Sequence, residues 1–151
     1  MARIHVAALL GLVVAMPGAA AGVYFGKGIT PRCFIAANGT YRLSDGAAAD
    51  YIVRIDNAAA NPSLRLQIVD DAASADFVLV DDNNGADICT SLAQSVRIDP
   101  IAQMPDIIVA LSRTPADKKI YVQSARFSAR DAAALFAVIW RHSRRNLAAN
   151  H

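Results

Sequence analysis

Apolar and polar residues alternate along several short stretches of the chain, and each such stretch predicts a strand with one wet face. In Tyr51-Ile-Val-Arg-Ile55, Tyr51, Val53 and Ile55 face one way and Ile52 and Arg54 the other. In Leu64-Arg-Leu-Gln-Ile-Val69, Leu64, Leu66 and Ile68 point inward and Arg65 and Gln67 outward. Phe77-Val-Leu-Val80 is apolar throughout and bounded by polar residues, which predicts a central strand buried on both faces. Two β-prone runs flank Asn38-Gly39 within 33–43, the signal of a tight hairpin. Val96 to Ile98 reads as a short strand. The runs 106–111 and 119–127, joined by a turn at Thr114-Pro-Ala-Asp117, predict an antiparallel hairpin.

The period changes near the end. Ser128 with Asp131 three residues on forms a short-armed capping box. Behind it, Ala132, Leu135, Phe136, Ile139 and Ser143 fall on one helical stripe. Arg141, Arg144 and Arg145 cluster in the last turns, where cations suit the helix dipole. The expected fold class is therefore α+β: a largely antiparallel sheet of about six or seven short strands, with one C-terminal helix packed on a face. No internal repeat of the solenoid type is expected.

The first 30 residues are different. Arg3 and the terminal amine precede an uncharged run from Val6 to Met16, and Pro17-Gly18 and Ala19-Ala20-Ala21 follow. This is the layout of a signal peptide, or of an N-terminal membrane anchor if it is not cleaved. The expected organisation is leader 1–21, tether 22–32, a single α+β domain 33–146 and a frayed tail 147–151. Cys33 and Cys89 are the only cysteines. In an exported chain they invite one disulfide, with a loop-closure effect of about 4 kcal/mol. The expected location is periplasmic or secreted, or tethered to the inner membrane by the leader.

Composition narrows the chemistry. All 13 acidic residues are Asp, and 12 of the 15 basic residues are Arg. A net charge of +2 does not support nucleic-acid binding. Of three histidines, His5 lies in the leader and His151 is the last residue. A nucleophilic triad or a zinc site would thus have to use His142. Glycine-rich phosphate loops, a G-x-S-x-G elbow and H-E-x-x-H are absent from the sequence. No catalytic residue, cofactor or metal is assigned, and the reading leans away from an enzyme.

Six acids fall between residues 70 and 87. Asp81, Asn83 and Gly85 miss the spacing of a calcium-binding EF-hand loop. The candidate binding residues are Asp70, Asp71, Asp81, Asp82 and Asp87, on loops that flank Phe77–Val80 and could face a basic partner. The run Ala75-Asp-Phe-Val-Leu-Val-Asp-Asp82 resembles a phrase in exported bacterial α+β domains. These include the N-terminal domains of TolB-like proteins and CsgG-like lipoproteins. The whole chain is also similar to small exported or membrane-anchored bacterial proteins of unknown function. The expected function is a cell-envelope domain that binds an envelope protein partner or supports an assembly, with membrane contact through the leader if it is retained. The alternative is a small-ligand binder or enzyme using an Asp, Tyr and Arg pocket. A basic helix end that touches lipid is a third expectation.

Overall fold

The computed structural model describes residues 32–80, 89 and 91–149. Cys33–Ala36 (β1) and Gly39–Leu43 (β2) form the expected hairpin. Its two-residue loop returns through Gly39, whose φ of +146° a residue with a Cβ rarely adopts. Six more strands follow: Tyr51–Ile55 (β3), Leu64–Ile68 (β4), Phe77–Val80 (β5), Gln94–Ile98 (β6), Ile107–Ser112 (β7) and Lys118–Gln123 (β8). Helix α1, Ala129–Ala149, closes the described chain.

The eight strands form one sheet in the order β1-β2-β6-β3-β7-β4-β8-β5. Among the described residues only β1 and β2 pair antiparallel; the other six pairings are parallel. The sheet is thus mixed rather than largely antiparallel. No β7–β8 hairpin forms, because β4 lies between those strands and runs parallel to both. Nor is β5 central. It ends the sheet, with Val78 and Val80 at 42% and 48% exposure.

Two arms of the chain interleave. β2, β3, β4 and β5 come from the first arm, and β6, β7 and β8 fill the gaps between them. Parallel strands ordinarily need a crossover of a dozen residues or more, because the chain must return to its starting level. Here the links 44–50, 56–63, 69–76, 99–106 and 113–117 are shorter. The register explains how. Leu43 at the end of β2 and Tyr51 at the start of β3 both pair with Val96. Val53 similarly pairs with Ile98 on one side and Ile107 on the other. Each strand starts about two residues beyond its neighbour. The chain therefore hops sideways by two strand spacings, roughly 10 Å, with no return journey.

That stagger leaves the second residue of each strand projecting past the start of the next, with its N–H unpaired. The residue just before the next strand supplies the acceptor. Asp50 accepts from Ser95 N–H, Asp106 from Ile52 and Ser63 from Ile108. Asp117 accepts from Arg65 and Asp76 from Lys119. Ser63, Asp76 and Asp106 also donate their own N–H to the carbonyl of the residue they clamp. Strand exits are fixed by a second set. Ser44, Asp56, Asp71, Asp99, Ser112 and Ser124 each accept from the N–H two residues on. An internal repeat is therefore present: Asp50, Ser63 and Asp76 recur every thirteen residues, as do Val53, Leu66 and Leu79.

The sheet curls around α1, which contacts β3, β4, β6, β7 and β8. Residues 132–138 are buried without a break, so two turns of helix are enclosed on all sides rather than along one stripe. Four of these seven residues are Ala, which lets the strands approach closely. Ser128 and Asp131 make both bonds of the capping box. The last turn holds no basic residue, and the three arginines fall before it. The two sheet edges meet through aromatic rings: Phe34 of β1 lies 5.8 Å from Phe77 of β5, and Phe77 lies 5.1 Å from Phe136.

Candidate functional site

Three places hold chemistry that the fold itself does not fully use. The first is the seam between β1 and β5. Phe34 and Phe77 point into the core, so their neighbours point out. Ile35 is 73% exposed, and Val78 and Val80 stand exposed on the other side. Among the described residues β5 is hydrogen-bonded to β8 alone, and β1 to β2 alone. β1 itself is pinned covalently: Cys33 and Cys89 form a disulfide, with Cα atoms 5.5 Å apart. The bond ties the start of the first arm to the approach to β6, and so fixes where interleaving begins. Disulfides persist in oxidising compartments, which points to one outside the cytosol.

The second is a polar cluster at the far end of the helix. His142 Nδ1 lies 3.4 Å from the Tyr41 hydroxyl, and its ring meets Tyr51 edge-on at 6.3 Å. Tyr41 is fully buried, and burial pushes its hydroxyl above the usual phenol range, with Tyr51 adding to the effect. His142, read from sequence as the one histidine available for catalysis, packs between two tyrosines. Among the described residues no group of three or more His, Cys or acidic side chains is placed to hold a metal ion.

The third is a cavity of about 290 Å³ lined by Trp140, Arg141, Arg144, Arg145 and Ala148. The Arg144 guanidinium sits over the Trp140 ring, 5.1 Å from its centre. Arg141 reaches the next layer, donating to the Asp106 carbonyl.

Of the acids expected to bind, Asp70 and Asp71 are exposed in the link between β4 and β5. Asp71 caps a single 3-10 turn, Ala72–Ser74, by accepting from Ala73 N–H. Asp81, Asp82 and Asp87 lie outside the described residues. Seven other acids have visible structural work. Asp50, Asp76, Asp106 and Asp117 clamp strand entries, Asp56 and Asp99 cap exits, Asp131 closes the capping box, and Asp56, Asp76, Asp99, Asp106 and Asp131 also face cations. Residue spacing missed the seam, because an exposed valine and a buried one look the same in sequence. The signal for the helix-end cavity was present in Arg141, Arg144 and Arg145.

Among the described residues no helix is long and apolar enough to cross a membrane. The chain matches no protein-family model, no curated protein and no solved structure.

Proposed function

We propose that the chain is an exported cell-envelope domain that works by binding, and that it takes an extended segment of a partner protein along the free edge of β5. One observation carries this reading: a strand edge with no partner among the described residues coincides with exposed Val78 and Val80. Such an edge is an aggregation hazard that proteins usually blunt with charge, proline or a covering element. A partner strand would satisfy its backbone groups and cover both valines, and alternate side chains would set specificity. Asp70 and Asp71 precede β5, and Asp81, Asp82 and Asp87 follow it in sequence, so a basic partner segment fits best. The disulfide supports the exported location.

A photo-reactive side chain placed at Val78 or Val80 in the native host tests this. Adducts in the envelope fraction at both positions, and none from Ile108 on the middle strand β7, are expected. Equal labelling at all three, or at none, would overturn the reading. Intact mass tests export separately: a mature chain two hydrogens light, alkylated only after reduction, is the expected result.

A further inference from the structure

The helix-end cavity and the loop beside it make a second surface, independent of the β5 edge. The link 99–106 carries two large apolar side chains in water, Ile101 at 79% and Met104 at 89% exposure, three residues apart on one loop. The loop is not loose. Asp99 caps its entry through Ile101 N–H, Arg54 donates to the Ala102 carbonyl, and Arg141 donates to the Asp106 carbonyl. The last of these bonds seats the loop against the helix turn that begins the cavity. The link that carries the two apolar tips is thereby tied to the helix turn that carries the guanidinium groups.

The charges are unbalanced. Asp106 faces Arg141 at 4.0 Å, and among the described residues no acid pairs with Arg144 or Arg145. The Arg144 guanidinium lies over Trp140, which supplies an amphipathic ring of the kind that sits at membrane interfaces.

We infer that this end of the molecule docks on an anionic lipid bilayer. Lipid phosphates would enter the cavity against Arg144 and Arg145, and Ile101 and Met104 would enter the boundary between headgroups and acyl chains. The partner is a surface rather than a soluble anion, because the exposed apolar pair would gain nothing from a free phosphate.

Trp140 is the only tryptophan in the chain, so its fluorescence reports on this site alone. The full chain is titrated with vesicles of phosphatidylcholine containing about a third phosphatidylglycerol, and with phosphatidylcholine alone. Lipids brominated on the acyl chain serve as quenchers. Whatever the first 21 residues do with either vesicle, Trp140 should shift to the blue and be quenched only with the anionic ones. Arg144→Gln with Arg145→Gln should weaken that response about fivefold for each arginine removed. The double lysine variant should restore it, because headgroup attraction needs charge. Ile101→Ser with Met104→Ser should abolish quenching by brominated chains while leaving charge-dependent recruitment. Quenching equal in both vesicle types, or the same shift with soluble polyphosphate, would overturn the inference.

Discussion

The middle of the sheet and its two edges are built differently. In the middle, β3, β7 and β4 each have a neighbour on both sides, a clamp at the entry and the enclosed helix beneath. At the edges, β1 and β5 each have one hydrogen-bonded neighbour, and Ile35, Val78 and Val80 remain exposed. The middle satisfies its stagger with Asp and Ser at nearly every step. The edges are held by a disulfide and by the Phe34, Phe77 and Phe136 rings instead. Among the described residues the interior strands are capped at their entries, whereas two exposed valines stand beside an edge with no hydrogen-bonded neighbour.

The comparison breaks most visibly at Leu66, fully buried on β4. Leu66→Asp places an unpaired charge under the helix and should leave no cooperative unfolding transition by circular dichroism. Leu66→Ala should keep the fold and cost about 2–5 kcal/mol in denaturant titration. At the edge the covalent bond should dominate. Cys33→Ser with Cys89→Ser should cost about 4 kcal/mol, on a sequence separation of 56, measured the same way. If that loss is under about 1 kcal/mol, the seam is held by its aromatic rings alone.

Local chemistry was legible before the topology. The Asn38-Gly39 hairpin, the Ser128–Asp131 capping box and the alternation in 51–55 and 64–68 are short-range features, and the sequence pattern located each of them. The parallel, interleaved order was not legible, because it depends on pairings such as Val53 with Ile107, which no local period encodes. The 13-residue recurrence of Asp50, Ser63 and Asp76 was in plain view. Turn acceptors and strand clamps use the same side chains, so the recurrence alone does not name the clamp. The misplacement of β5 has the same root. Apolar residues at four successive positions mean burial on both faces only if both faces are covered, and Val78 and Val80 are not.

Smaller effects separate the clamps. Ser95 donates its hydroxyl and its N–H to Asp50, and these bonds hold that carboxyl below the usual aspartate value of 3.8. The Lys119 N–H and the Lys118 side chain do the same for Asp76 beside β5. A depressed folded-state pKa stabilises the fold fully above the ordinary value. The contribution is then lost as pH falls through that value toward the depressed one. Stability should therefore drop below about pH 4, and Asp50→Asn should flatten that drop. Asp76→Asn should flatten it less, because its ion pair with Lys118 is more than a third exposed and screened by solvent. Urea midpoints between pH 3 and 6 check this; a larger change at Asp76 would mean that the edge relies on its clamp as much as the middle does.

The smallest expected change in stability is the most telling about function. Val78→Thr with Val80→Thr keeps the β-branch and replaces an exposed methyl by a hydroxyl on each side chain. Since both valines already meet water, the unfolding midpoint should move by no more than about 0.5 kcal/mol. Self-association at high concentration, read by sedimentation, should fall, and so should the photo-adduct yield from a probe at the adjacent Ile35. A matched pair on β3, Val53→Thr with Ile55→Thr, should do the reverse: it buries a hydroxyl beside the helix, destabilises the fold and leaves any edge contact intact in the molecules that remain folded. If the β5 variant proves the more destabilised of the two, the valines are core residues seen from outside, and the edge would no longer be a reason to place a partner there.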